Sequence, residues 1–208
     1  MLLKVPYFTQ PTVYACVPGS LKMLMAYHGI NVTYKKIMEG VNCMPDGTYM
    51  EAAAEYLAKL IPNPTLVSFD PVLHPSWYQT ASLAKIIEHL KDEVRYNTSE
   101  RKKQDANADR QEKLLYFMLN GGKFLPRLSL ADMKGLIKNK RPVIVNVELN
   151  HLYPEEDVPE SELHTVVVIG YQRNKIIFLD PGLKDIHSDN EEHFVWSWYV
   201  NNGSAIYI

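Results

Sequence analysis

The most constraining feature of this sequence is a pair of apolar runs near its C-terminal end with a very short connection between them. The runs cover residues 164–172 and 175–180, and Arg173-Asn174 separates them. Both runs are rich in valine, isoleucine and phenylalanine, which favour strands. A two-residue connection between such runs predicts a β-hairpin, and therefore an antiparallel sheet in this part of the chain.

Other patterns in the C-terminal half extend this sheet. Residues 142–149 and 205–208 predict two more strands, and residues 190–199 predict a helical turn that packs on the sheet. Ser129 with Asp132 three residues later is typical of a capped helix start, and we expect that helix to continue to about residue 139.

The N-terminal half shows a helical pattern instead. Over residues 16–28, apolar side chains recur at spacings of three and four, and Gly29 is a typical C-terminal stop. Pro18 is tolerated in a first helical turn, so the helix is predicted to begin at Cys16 or directly after it. Further predicted elements are a short helix that follows Thr33 and runs to residue 39, a helix that follows Thr48 and includes residues 50–57, a strand over 65–69, and helix in two pieces over 82–120.

Helices that precede strands favour an α+β domain over alternating βαβ units. The length of 208 residues suits one domain with a single core, and no internal repeat or low-complexity segment interrupts it. We therefore expect residues 1–208 to form a single domain.

Composition excludes several classes of protein. A formal net charge of −2 argues against a nucleic-acid-binding surface, which needs an excess of lysine and arginine. The apolar stretches are too short to span a bilayer, and Lys4 and Pro6 interrupt the N-terminal one, so we expect neither a membrane partner nor a signal peptide. Two cysteines make no disulfide framework, and the expected location is the reducing cytoplasm.

Cys16 is the candidate nucleophile because of its predicted position at a helix N-terminus. The free N–H groups and the helix dipole there favour the thiolate, which is the reactive form. A buried structural thiol is the alternative, and Cys16 alone does not decide between them. Cys43 does not lie at a predicted helix N-terminus, and we interpret it as having no part in the chemistry.

Three polar residues complete a possible site. Gln10 lies six residues before Cys16, from where its amide can donate to a developing oxyanion. His164 opens one strand of the predicted hairpin and Asp180 ends the other, so both lie near one end of adjacent strands. This order fits a nucleophile, a base and a group that orients the base. A loop glutamine, a strand-boundary histidine and an Asp-Pro-Gly turn are the alternatives.

The sequence resembles the C39-like peptidases in two regions. The N-terminal region comprises Val5-Pro6-Tyr7-Phe8-Thr9-Gln10, Cys16-Val17-Pro18-Gly19-Ser20 and Tyr27-His28-Gly29. The C-terminal region comprises Arg141-Pro142-Val143-Ile144-Val145, the segment from His164 to Tyr171, and Leu179-Asp180-Pro181. Residues 65–125 carry hardly any of the resemblance.

The resemblance implies a papain-like cysteine peptidase fold, in which a helical N-terminal half carries the nucleophile and a C-terminal antiparallel sheet carries the histidine and aspartate. It also implies that Gln10 is the oxyanion donor, Cys16 the nucleophile, His164 the base and Asp180 the orienting residue. The family usually has glycine and alanine where this chain has Val17 and Gly19.

The function that follows is a cysteine-dependent hydrolase that cleaves a peptide or related amide through a thioester. Two alternatives stay open: an acyl or peptidyl transferase, in which an amine takes the acyl group, and a non-catalytic peptide-binding module. The seven histidines show no spacing typical of metal ligands, so we expect no metal and no cofactor.

Two segments of the chain are strongly charged. Residues 100–113 hold nine charged side chains of both signs and almost nothing to bury, which is typical of a solvated helix or mobile loop. Glu155, Glu156, Asp157, Glu160 and Glu162 form an acidic segment directly before His164. We interpret it as a solvated connection, and the alternative is the rim of a cleft that attracts basic substrates.

Overall fold

A mixed β-sheet forms the centre of the computed structural model, which describes residues 1–69, 82–99, 106–154 and 162–208. Its seven strands are β1 (Thr65–Val67), β2 (Lys123–Leu125), β3 (Val143–Glu148), β4 (Leu163–Gln172), β5 (Lys175–Leu179), β6 (Ile186–Asn190) and β7 (Ala205–Tyr207). Their order across the sheet is β2-β1-β7-β3-β4-β5-β6. Consecutive residues of β3 and β4 are buried, and since neighbouring side chains point to opposite faces, both faces of these strands are covered.

Helices cover the sheet and form a layer of their own. The helices in the described residues are α1 (Cys16–Tyr27), α2 (Tyr34–Gly40), α3 (Met50–Ala58), α4 (Leu83–Ser99), α5 (Ala106–Leu119), α6 (Leu130–Lys138), α7 (Leu149–Leu152) and α8 (Glu191–Tyr199). Helix α1 packs on β4 and β3, while α3 packs against α5, and α5 against α4. No helix in these residues is both long and apolar enough to cross a membrane.

Several predictions from the sequence are confirmed. The helix does begin at Cys16, and the hairpin joins β4 to β5 with Gln172 opposite Lys175. Ser129 caps α6 in a complete capping box with Asp132. The α+β fold class is therefore correct, with the helical region and the sheet in the expected parts of the chain.

Two strands were not predicted, and both lie at sheet edges. Strand β6 pairs antiparallel with β5, and β2 pairs parallel with β1, so the sheet is not wholly antiparallel. Edge strands bury few side chains: β6 alternates between exposed and half-buried residues, and β2 does the same over three residues. A strand that buries so little carries almost no hydrophobic pattern in its sequence.

The expectation of a solvated segment over residues 100–113 is wrong for its C-terminal part. Arg110 binds Glu51 through two hydrogen bonds, with 2.7 Å between Nη2 and Oε1, and the two side chains are only 16% and 5% exposed. Lys113 Nζ lies 3.6 Å from Glu55 Oε2. The charges pair across the α3–α5 contact, which the charge pattern of one segment does not reveal. Residues 100–105 lie outside the described residues.

Gly19 is required by the close approach of the loop that follows β5. A Cβ on Gly19 would lie 2.7 Å from the Cβ of Pro181 and 3.4 Å from that of Gln10. The departure from the usual family residue at this position therefore has a local reason: α1 and the Pro181 loop pack too closely for a side chain.

We expect Gly19→Ala to lower the free energy of unfolding by about 1–3 kcal/mol, the usual cost of overpacking, because a stiff proline ring must move. Gly135→Ala is the matched control, since a Cβ there would meet nothing within 4 Å inside α6. It should raise the stability by about 0.5–1 kcal/mol. Urea denaturation measures both, and an equal effect of the two substitutions would contradict the role of Pro181.

Candidate active site

Cys16 is the first residue of α1, so its thiol lies where the helix has free backbone N–H groups. The His164 side chain and the Val17 backbone N–H both favour the ionised form of its thiol. Burial raises the pKa of the Cys16 thiol. The hydrogen bond and positive charge of His164 lower it, as do Thr165 and Val17, and together they outweigh the effect of burial. The pKa therefore lies below its ordinary value, and the thiolate is favoured.

The hairpin places His164 beside Asp180. His164 is near the start of β4 and Asp180 directly follows β5, so both lie at the same edge. His164 Nε2 is 2.8 Å from Asp180 Oδ1, which leaves Nδ1 as the ring nitrogen for Cys16. Burial lowers the pKa of His164, but the bonds to Asp180 and Cys16 prevail and raise it to about 10. The imidazole is therefore protonated when Cys16 is a thiolate.

Asp180 is 1% exposed, and its carboxylate accepts two hydrogen bonds in addition to the one with His164. The backbone N–H of Gly182 donates to Oδ1 at 2.7 Å, and the hydroxyl of Tyr153 donates to Oδ2 at 2.9 Å. Burial raises the pKa of this carboxyl, but His164, Gly182 and Tyr153 together hold it below its usual range. Sequence reasoning missed Tyr153, because one tyrosine after a short helix has no distinguishing pattern.

Gln10 lies against the same groups. Its Nε2 donates to Val13 O at 3.0 Å, and its backbone N–H donates to Pro181 O at 2.8 Å. Its Oε1 is buried and has no hydrogen-bond partner among the described residues. Both this Oε1 and His164 Cε1 lie 3.8 Å from the point that a Cβ on Gly182 would occupy. Since Val13 uses one amide hydrogen, the second is left for another acceptor.

The segment that carries Gln10 is tied down on both sides. The Tyr34 hydroxyl donates to Thr9 O at 2.6 Å, and the Tyr7 hydroxyl donates to Leu183 O. Lys22 Nζ donates to Val32 O at 2.8 Å and lies 4.7 Å from the centre of the Phe8 ring. These contacts hold the segment between α1 and the loop after β5.

A cavity of about 360 Å³ lies beside Cys16. Its lining includes Cys16, Val17, the Glu51–Arg110 pair and Thr165. Val17 is 4% exposed, so its side chain is part of the buried wall of the cavity and not of the outer surface of the protein. The size is within the usual range for small-ligand and side-chain pockets.

Other candidates are less well placed. Cys43 is half-buried, with its sulfur 3.8 Å from Tyr14 O. Among the described residues, no group of three or more histidine, cysteine, aspartate or glutamate side chains is arranged to hold a metal ion. Of the acidic segment before His164, Glu162 is described and exposed, while Glu155, Glu156, Asp157 and Glu160 lie outside the described residues.

Three solved structures of peptidases have a fold similar to that of this chain. A crystal structure assigned as a C39-like peptidase from Bacillus anthracis has a TM-score of 0.60 at 15% identity, covering 99% of this chain and 96% of the other. A double glycine motif protease from an AMS/PCAT transporter, in complex with the leader peptide, gives 0.52 at 16%, with 99% and 91% covered. The peptidase domain of Streptococcus ComA, a bi-functional ABC transporter of a quorum-sensing pathway, gives 0.50 at 18%, with 96% and 93% covered.

Two comparisons of sequences were made, one with curated proteins and one with family profiles. The curated proteins yielded no match to this chain. The sequence profile of the Peptidase_C39 like family, in contrast, matches residues 2–206. This match covers nearly the whole length, and the chain therefore belongs to the C39-like peptidase family.

Proposed function

We propose that this protein is a cysteine-dependent hydrolase of peptide or related amide bonds, with Cys16, His164 and Asp180 as its catalytic triad. The observation that carries the proposal is the position of His164, which bonds Asp180 at 2.8 Å through Nε2 and lowers the pKa of the Cys16 thiol. A structural cysteine needs no such proton path. The related protease crystallised with a leader peptide adds support for a peptide substrate.

The first half of the reaction forms a thioester. The Cys16 thiolate attacks the carbonyl carbon, and the carbonyl oxygen becomes an oxyanion. The backbone N–H of Cys16 and the amide of Gln10 donate to that oxyanion. Protonated His164 then gives its proton to the leaving nitrogen as the C–N bond breaks, so the amine departs neutral.

The second half returns the enzyme to its starting state. His164, now neutral, takes a proton from water while the water oxygen attacks the thioester carbonyl. The C–S bond breaks, the acid product leaves, and the thiolate and imidazolium are restored. Asp180 keeps the imidazole oriented throughout and stabilises its positive charge.

We predict that iodoacetamide at pH 6 modifies Cys16 well ahead of Cys43, because the lowered pKa of Cys16 increases the fraction of its thiol that is ionised. His164→Ala should remove most of this advantage, since it deletes the positive charge beside the sulfur. Peptide mass spectrometry of briefly treated protein measures both rates. A Cys43 that reacts as fast as Cys16 would favour the non-catalytic binding module instead.

Gln10→Ala should slow hydrolysis of a peptide amide by ~10²–10³, the usual loss for one oxyanion donor. Alkylation of Cys16 by iodoacetamide creates no oxyanion, so its rate should hardly change in the same variant. Comparing kcat with the alkylation rate separates the two effects. If both fall together, Gln10 acts on the thiolate or the local fold rather than on the oxyanion.

Tyr153→Phe removes one donor from the Asp180 carboxylate and should raise its pKa toward the ordinary range. Since a protonated Asp180 no longer stabilises the imidazolium, the acid limb of the hydrolysis profile should move to higher pH. The loss at neutral pH should stay well below that of Asp180→Ala, for which up to ~10⁴ is expected. Tyr116→Phe, at an exposed position in α5, is the control. An unshifted acid limb would show that the Tyr153 hydroxyl does not support Asp180.

A further inference from the structure

A buried serine joins the two elements that carry Cys16 and His164. Ser20 lies in α1 and is fully buried. Residues four apart lie on the same face of a helix, so Ser20 is one turn from Cys16 on that face. Its hydroxyl donates to the backbone carbonyl of Thr165 at 3.1 Å, and Thr165 directly follows His164 in β4. One hydrogen bond therefore connects the nucleophile helix to the histidine strand close to both residues.

The neighbouring strand β3 does not bond the Thr165 carbonyl. Thr165 lies opposite Asn146, whose backbone N–H donates to Ser204 O on the far side of β3. Opposite residues of an antiparallel pair either exchange both backbone hydrogen bonds or exchange neither. Asn146 and Thr165 are thus a pair that exchanges neither, and the backbone N–H and C=O of Thr165 point toward the side of β5.

Strand β5 ends too early to bond this carbonyl. Val167 lies opposite Leu179, the last residue of β5, so continued pairing would put Pro181 opposite Thr165. Proline has no backbone N–H to donate. A buried carbonyl without a partner is unfavourable, and Thr165 is 1% exposed. Ser20 supplies the donor that the described part of the sheet does not.

The direction of the Ser20 bond differs from that of another buried helical serine. A serine inside a helix commonly bonds a carbonyl of the preceding turn in the same helix. Ser197 in α8 follows this pattern: it is fully buried, and its hydroxyl donates to Phe194 O at 2.9 Å. Ser20 bonds across to the sheet instead, so its hydroxyl links two elements and does not only complete one.

We propose that Ser20 is a positioning residue for the cysteine chemistry: its bond to the Thr165 carbonyl fixes the separation between α1 and β4 at which His164 acts on the Cys16 thiol. Ser20 lies outside the cavity lining that the structure describes, so it is not assigned a contact with the substrate. The proposal rests on the function proposed above and adds a residue that sets the geometry of its site.

Replacing Ser20 leaves the charges around Cys16 in place. The charged groups that the structure describes there are His164, with Asp180 bonded to it, and the charged side chains of the cavity lining, which are Asp46, Glu51, Asp109, Arg110 and Lys113. Ser20 itself carries no charge. A change in the pKa of Cys16 after its substitution therefore reports a change in geometry and not the loss of a charge.

The pH dependence of Cys16 alkylation by iodoacetamide tests this assignment. Ser20→Ala deletes one oxygen atom, introduces no clash and favours the helix, so the variant should fold. A His164 that is held less closely stabilises the thiolate less, and the pKa of Cys16 then rises toward its ordinary value. The midpoint of the alkylation curve should move up by roughly 0.5–1 pH unit, less than the ~1–3 units that a whole opposite charge contributes. Peptide mass spectrometry measures the curve, with Cys43 as the reference thiol in the same molecule.

Ser197→Ala is the matched control. It also removes a fully buried serine hydroxyl from a backbone carbonyl, but in α8, which carries no residue of the proposed triad. Urea denaturation should show a loss of stability in both variants, while the Cys16 alkylation curve of Ser197→Ala should stay in place. The comparison separates a general loosening of the fold from a change at the contact between α1 and β4.

The outcomes distinguish this role from the hydrolase assignment. If Cys16 of the unsubstituted protein is alkylated no faster than Cys43, the proposed function fails, and the role of Ser20 fails with it. If Cys16 is the faster thiol and Ser20→Ala leaves its curve in place, the positioning role alone is overturned. Equal shifts in Ser20→Ala and Ser197→Ala also overturn it, since the effect then comes from stability and not from the bond between the two elements.

Discussion

A buried carboxylate is unfavourable unless hydrogen bonds and a nearby positive charge replace the water it loses. Asp180 meets this condition through His164, the Gly182 N–H and the Tyr153 hydroxyl. The arrangement of the whole site follows from it. The ionised carboxylate holds the imidazole by Nε2 and raises its pKa, and the imidazolium in turn favours the Cys16 thiolate. We therefore expect the loss of any hydrogen-bond donor to Asp180 to change the pKa of the Cys16 thiol.

The proposed triad spans two parts of the fold, so its geometry depends on how closely they approach. Helix α1 carries Cys16, and the sheet carries His164 and Asp180. They approach closely at Gly19, where the absence of a side chain lets Pro181 pack directly on the helix. Pro181 also accepts the Gln10 backbone N–H, which ties the N-terminal segment to the same loop. One short loop thus positions the candidate oxyanion donor, the orienting carboxylate and the helix start relative to each other.

The cavity next to Cys16 differs in character from the hydrophobic core behind it. Its charged side chains are mostly paired with one another, as in the Glu51–Arg110 pair, so the charges hold α3 and α5 together and are not left for a ligand.

The sequence by itself determined the elements whose signals are local. Periodicity and Gly29 predicted the helix that starts at Cys16, a two-residue connection predicted the β4–β5 hairpin, and Ser129 with Asp132 predicted a capped helix. The hairpin also predicted that His164 and Asp180 lie together. Tertiary structure alone decided the edge strands β2 and β6, the Tyr153 bond to Asp180 and the Arg110–Glu51 pair. Strand β6 pairs with the neighbouring β5 but buries too little to show a hydrophobic pattern. Strand β2, Tyr153 and Arg110 each depend on a partner far away along the chain, and a contact between distant residues leaves no spacing or periodicity in the sequence.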